Sequence, residues 1–412
     1  MQTFAVILLL AVIAFVGTNA GYRLRRWRLT AALASGGWFA VGTGAVLGPH
    51  VFGVVTPERI LRATPLIVLG LGWIGLMLGL QMHRAVLRSL PRSVLRVCAL
   101  DTVLTLAVFG ALGWFGIRMW GRGPDEAVML SVSLIACAAI GWTMETRSLA
   151  AGDEEVWREG AMMIRGAGGL AGVVAVAVFG VVTAFTVTGP NGAGGVSGSG
   201  ATRIVVALAL GVVSGLIGRF ALREAGSDRG QVLAVLLGLV ALVGGLAYEL
   251  ELSSLFVAGV AGAVMANLAG HEMRTFEMVI LRAEHVVAAV FAMLAGVMLD
   301  PMVGWSGVGL AAVLAGTRLM VKRWVLRAGG AERGSGALAW AVVRQSPLAV
   351  ALGVGVAVLV GDAGSQRLLT VVVLAGVMAE VTPLVVAWAL RGSPMGTPVE
   401  TGEGETPGGG AA

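Results

Sequence analysis

Long apolar runs, separated by short polar segments that carry most of the arginines, organise the chain from its first residues to about position 390. A membrane-crossing helix needs about 20 mostly apolar residues. Runs of that kind predict thirteen helices, near 2–20, 31–48, 65–82, 97–117, 127–144, 160–187, 204–220, 231–249, 253–269, 285–300, 304–321, 338–360 and 368–390. The pattern is that of an all-α polytopic membrane protein. An odd number of spans puts the two termini on opposite sides.

Composition agrees. The 412 residues are 57% hydrophobic and 13% charged, against about 45–50% apolar and about 25% charged in a soluble domain. The net charge of +6 does not indicate nucleic acid, because the basic residues flank the apolar spans as the positive-inside rule requires. Under the alternation of thirteen spans, 21 of the 29 basic residues fall on one side and six on the other, with Arg165 and Arg344 inside spans. That bias predicts an outside N-terminus and a cytoplasmic C-terminus in the cell's inner (plasma) membrane. The first span, MQTFAVILLLAVIAFVGTNA, precedes RLRRWR. A cleaved signal peptide has the opposite charge order, so this segment reads as a retained helix.

The domain expectation is a single transmembrane unit over 1–391, followed by a Pro/Gly/Glu-rich tail, 392–412, with almost nothing to bury and therefore disordered. GPNGAGGVSGSGATR (189–203) reads as a flexible linker. The 63 glycines let membrane helices pack closely, and GAGGLAG (166–172), VAGVAGAVMA (257–266) and GVGLAAVLAG (307–316) are predicted contact faces. Cys98 and Cys137 lie in or beside apolar spans, and His50, His83, His271 and His285 show no ligand spacing. Neither a disulfide framework nor a metal site is expected. No Gly-rich nucleotide loop or extramembrane catalytic constellation is present in the sequence, so the chain is not expected to be an enzyme or to carry a cofactor.

Transport sites form where a membrane helix is interrupted, because freed backbone groups and helix ends then face the substrate. Two spans look interrupted. In the fifth, Gly141-Trp142-Thr143 precedes Glu145. In the twelfth, Arg344-Gln345-Ser346-Pro347 breaks an apolar run, and Pro347 disfavours helix before it. These spans are seven apart, the spacing of two inverted six-helix repeats (about 1–187 and 231–391) joined by a linker helix at 204–220.

The ordered series GWFAVGTGAVLGPHVFG, LIVLGLGWIGLMLGLQM, HVVAAVFAMLAGVMLD, VLAGTRLMVKRW, RQSPLAVALGVGVAV and LLTVVVLAGVMAEVTPLVVAWAL resembles the monovalent cation/proton antiporter superfamily in its Kef/NapA-like branch. The resemblance implies a thirteen-helix inverted-repeat transporter with two crossed broken helices, a dimerising scaffold and a six-helix core that moves like an elevator. It also implies a homodimer. Monovalent cations and protons would be the partners, with the lipid bilayer as solvent.

One departure is central. The family's sixth helix carries one or two acids in a pattern like GAxxIDDVLGL, whereas this chain reads GAMMIRGAGGL, with Arg165-Gly166 in the acidic positions. No acid occurs between Glu159 and Glu224. An arginine stays charged and repels cations, so it needs an acid or a bound anion nearby. The site candidates are therefore Arg165, Arg318, Glu145 and Glu380, with Thr143, Gln345 and Ser346 as oxygen or amide ligands at the breaks. Asp101 reads as a helix-start charge near the interface. Arg344 has a snorkelling alternative.

Three functions fit. The first is a secondary transporter with altered ion-site chemistry, in which Glu145 or Glu380 carries protons or Arg165 and Arg318 bind a small anion. The second is a conventional antiporter whose acid comes from another helix. The third is a non-transporting membrane scaffold or sensor locked by an Arg165 salt bridge.

Overall fold

The computed structural model describes residues 38–84, 88, 92–119, 132–133, 135–138, 154–186, 199–226, 228–268, 286–328, 345–361 and 363–391. The helices among them are α1 (Trp38–Leu47), α2 (Pro57–Arg62), α3 (Thr64–Leu80), α4 (Arg92–Met119), α5 (Glu154–Thr186), α6 (Gly200–Ala225), α7 (Arg229–Glu249), α8 (Ser254–Leu268), α9 (Val286–Val297), α10 (Gly304–Ala328), α11 (Pro347–Val360) and α12 (Ala363–Arg391). Residues 135–138 are helical too. The predicted first span, the linker up to residue 198 and the tail lie outside the described residues.

Local chemistry sets the helix ends. Ser199, Asp228 and Ser346 cap α6, α7 and α11, each accepting a hydrogen bond from a backbone N–H of the first turn. Pro347 occupies the first turn of α11, where its missing N–H costs nothing. Gly361 closes the same helix at φ 68°, a conformation that suits glycine. The break expected at Gln345–Pro347 thus appears as a capped helix start.

Several boundaries differ from expectation. α6 begins at Gly200 rather than at 204, so the end of the Gly/Ser-rich stretch is helical. α10 runs to Ala328 rather than stopping at 321, because Lys322, Val325 and Leu326 are buried. Within lipid-length helices a charged residue does not end a span if it finds a partner inside.

Apolar burial divides the bundle. One cluster joins α3, α6, α7 and α8 through residues such as Trp73, Leu76, Leu236 and Met265. A second joins α4, 135–138, α5, α10, α11 and α12 through Phe109, Ala175, Leu314 and Leu352. A third brings α1 and α9 against α11 and α12 through Met293, Phe291, Val354 and Leu369. Among the described residues, five helical stretches are long and apolar enough to cross a membrane: Leu95–Phe115, Gly200–Ala225, Gly230–Glu249, Pro301–Ala328 and Gly364–Thr382.

The closest helix crossings rest on glycine and occur twice in the same register. Where α1 meets α9, a Cβ on Gly44 would run into the Met293 carbonyl, and one on Gly296 into the Val41 carbonyl. Where α8 meets α3, a Cβ on Gly262 would run into the Leu76 carbonyl, and one on Gly79 into the Gly259 carbonyl. In both crossings each glycine sits three residues past the carbonyl that its partner meets. One contact is therefore built twice, with the earlier and later halves of the chain exchanging roles.

Polar links tie the helix ends together in two separate sets. Arg203 on α6 meets Glu251 at 3.4 Å. Arg367 on α12 meets Asp300 at 3.1 Å, and the Asp300 N–H donates to Thr370 Oγ1. At the opposite helix ends, Asn267 Nδ2 donates to the Met82 carbonyl and its Oδ1 accepts from the Arg84 N–H.

Gly79→Ala and Gly296→Ala are expected to lower the melting temperature of the purified protein, since overpacking costs about 1–3 kcal/mol. Gly238→Ala, whose Cβ meets nothing within 4 Å, is expected to leave the melting temperature unchanged or raise it through helix propensity. Equal effects at the two kinds of position would contradict the packing described.

Candidate functional site

Four charged side chains are buried between α4, α10 and α12. Asp101 and Lys322 are fully buried, Glu380 is 3% exposed and Arg318 4%. Lys322 Nζ donates to both carboxylate oxygens of Asp101, at 2.6 and 2.5 Å. Thr105 Oγ1, one turn along α4, adds a third donor at 3.3 Å. Cys98 lies on the same helix one turn before Asp101 and is buried.

Position along the helices makes this pair internal. Asp101 is about 14 Å along α4 from Arg92, and Lys322 about 9 Å from the end of α10, at 1.5 Å per residue. Asp101 is therefore not the interfacial helix-start charge that the sequence suggested, and Lys322 is not a loop residue. The predicted helix-start role failed because helix α4 begins earlier, at Arg92, which moves Asp101 inward.

Arg318 lies one turn before Lys322 on α10. Its Nη1 donates to the Ala138 carbonyl at 3.1 Å. The carboxylates of Asp101 and Glu380 both act on it electrostatically. Arg318 also enters a cavity with Gln345, lined further by Phe109, Leu314, Ala315 and Val372. Gln345 Oε1 abuts Gly376 on α12, one turn before Glu380.

The structure therefore brings Arg318, Gln345 and Glu380 into one region, with Ser346 capping α11 beside them. It adds Asp101 and Lys322, which sequence reasoning missed. A signal for the latter existed: Lys322 is the only lysine of the chain, set among 28 arginines. Arg165 falls in α5, eleven residues after its first residue, and its side chain lies outside the described part. Glu145, Thr143 and Arg344 also lie outside the described residues.

The chemistry follows from residue type. Asp101, Glu380, Arg318 and Lys322 sum to zero charge, as a low-dielectric setting demands. Arginine holds its proton, whereas a buried lysine gives it up far more readily.

The family profile described as "Sodium/hydrogen exchanger, transmembrane" matches residues 11–392. Among solved structures, the chain is similar to the sodium proton antiporter MjNhaP1 from Methanocaldococcus jannaschii at pH 8, with a TM-score of 0.65 and 11% sequence identity, over 93% of this chain and 98% of that one. At that identity the likeness is one of fold. No curated protein matches the chain.

Asp101→Asn leaves Lys322 buried without its counter-charge and is expected to destabilise the protein by about 3–5 kcal/mol. Replacing both residues, as Asp101→Leu with Lys322→Met, is expected to recover most of that loss. Thermal melts of the single and double variants check this. A double variant as unstable as the sum of the singles would mean that the two side chains do not interact.

Proposed function

The chain belongs to the sodium/hydrogen exchanger family, whose members are transporters rather than enzymes, and from that premise we propose a cation/proton antiporter with a relocated exchange site. The observation that carries the proposal is the buried, doubly hydrogen-bonded Asp101–Lys322 pair. Where the family pattern has acids in its sixth helix, this chain has Arg165-Gly166. The exchangeable carboxylate is then Asp101, with Glu380 as its fixed companion beside Arg318.

Charge conservation gives the mechanism. A monovalent cation reaches Asp101 only if the Lys322 ammonium gives way. If Lys322 releases its proton as the cation binds, the site keeps its net charge, which avoids the large penalty of an uncompensated charge in a low-dielectric interior. One cation then replaces one proton. Reprotonation of Lys322 expels the cation on the other side. Arg318, bonded to the Ala138 carbonyl and near Glu380, holds α10 against 135–138 and α12 without taking part in proton exchange.

The duplicated glycine crossing supports an inverted-repeat division near 1–187 and 231–391, with α6 as the linker. In this reading α1, α3 and α6–α9 form the scaffold, and α4, α5 and α10–α12 belong to the moving core. The proposed orientation keeps the N-terminus outside and the C-terminus in the cytoplasm of a plasma-membrane protein. A homodimer would use the exposed apolar side chains of α6, including Val212, Ile217 and Phe220.

A second reading is favoured by the internal balance of the charge cluster: a non-transporting scaffold or sensor in which the pairs never open. Reconstituted vesicles separate the two. On addition of sodium, lithium or potassium across roughly pH 6–9, the antiporter reading expects cation-dependent proton movement. Lys322→Arg should keep the ion pair but abolish the movement, because the guanidinium does not deprotonate. Absence of any cation-dependent signal in the unmodified protein would leave the locked reading standing.

A further inference from the structure

The two helices that hold the buried ion pair run antiparallel. Lys322 on α10 bonds Asp101 on α4. Eight residues further along α4, Phe109 lines one cavity with Leu314, which lies eight residues earlier on α10. Carried the other way, the same register sets Ala99 against Trp324 and Arg96 against Arg327. Packed helices lie about 8–10 Å apart. The first turns of α4 and the last turns of α10 therefore bring their arginines to one end of the bundle, side by side.

These arginines point away from the core. Arg92 and Arg96 on α4 and Arg323, Trp324 and Arg327 on α10 are exposed. Val97, Cys98, Val321, Val325 and Leu326, interleaved with them, are buried in one apolar cluster. No acid occurs within 88–100 or 319–328, and Arg92, Arg96 and Arg323 form no ion pair among the described residues. Like charges this close repel one another, and an anion shared between them relieves the repulsion. Toward the middle of both helices the outward face turns apolar, with Val103, Val313 and Met320 exposed. Trp324 stands at the change from charged to apolar, where its amphipathic ring suits a membrane boundary. Sidedness of charge alone requires only arginines beyond the spans. Here two segments far apart in sequence place theirs around one strip of hydrocarbon-facing surface.

We infer that this surface binds one anionic phospholipid from the leaflet at that end, the cytoplasmic leaflet in the proposed orientation. Its phosphate lies among Arg92, Arg96, Arg323 and Arg327, and its acyl chains run along Val103, Val313 and Met320. A free phosphate uses only the charged half of the surface, and a zwitterionic lipid leaves the arginine charge unbalanced. α4 and α10 are then clasped twice: inside by Asp101 and Lys322, and on the lipid side about 7.5 Å nearer the helix ends. The inference rests on the membrane placement of these two helices and not on cation exchange at Asp101.

The test reads binding without transport. The purified full-length chain, in an uncharged detergent, is melted with increasing phosphatidylglycerol, with phosphatidylcholine of the same acyl chains, and with inorganic phosphate. Ligand that binds only the folded state raises the melting temperature saturably. Such a rise is expected with phosphatidylglycerol, and a much smaller one or none with the other two. In Arg96→Gln with Arg323→Gln, half of the rise should require at least about tenfold more phosphatidylglycerol, the loss of two cationic contacts with an anionic headgroup. Arg219→Gln with Arg223→Gln on α6 removes the same charge elsewhere and should leave the half-saturating concentration unchanged. If the first double variant fails to melt cooperatively, Arg96→Gln alone serves in its place, with a smaller shift in the same direction. Equal responses to phosphatidylglycerol and phosphatidylcholine overturn the inference, as does a full response to inorganic phosphate. An equal shift in the α6 variant overturns it too, by reducing the effect to net charge.

Discussion

The ion pair between Lys322 and Asp101 governs much of what the bundle can do. Both groups are fully buried, and each alone carries a desolvation penalty of several kcal/mol. Neither can be stripped of the other without a replacement charge. The pair therefore couples α4 to α10 and restricts the site to changes that preserve its net charge. A cation entering as a proton leaves is one such change. Arg318 cannot support it, because its guanidinium keeps its proton. Two cations four residues apart on one helix thus have different partners: Arg318 bonds a neighbouring carbonyl, while Lys322 bonds a carboxylate.

The glycine crossings supply the frame in which that charge cluster sits. Side chains smaller than alanine bring the α1–α9 and α3–α8 backbones into contact, and the contact is repeated in register. Lipid offers little hydrophobic drive for helices to associate, so close packing must do that work. Such crossings leave little room for adjustment within α1, α3, α8 and α9.

Sequence patterning located the spans among the described residues because membrane helices must be long and apolar regardless of tertiary contacts. It located the start of α11 because Ser346 and Pro347 act locally. Arg318, Gln345 and Glu380 came from resemblance to a family motif series and do lie in one region. Asp101 and Lys322 escaped because their meaning is relational. Each lay close to a predicted span boundary, where a charge needs no partner, and only the longer α4 and α10 carry them inward. The rarity of lysine in an arginine-rich chain hinted that Lys322 was not interchangeable with its neighbours. Arg165 illustrates the opposite case: the family resemblance implies that it stands where an acid is expected, while the groups that meet its side chain depend on three-dimensional packing.

Proton release on cation binding tests the central claim most directly. Sodium or lithium is added to the purified, detergent-solubilised protein in weakly buffered solution while the pH is followed. The account predicts saturable release of roughly one proton per bound cation, lost when Lys322 is replaced by arginine. Cation binding without proton release, or release that persists in the arginine variant, would contradict exchange at the Asp101–Lys322 pair.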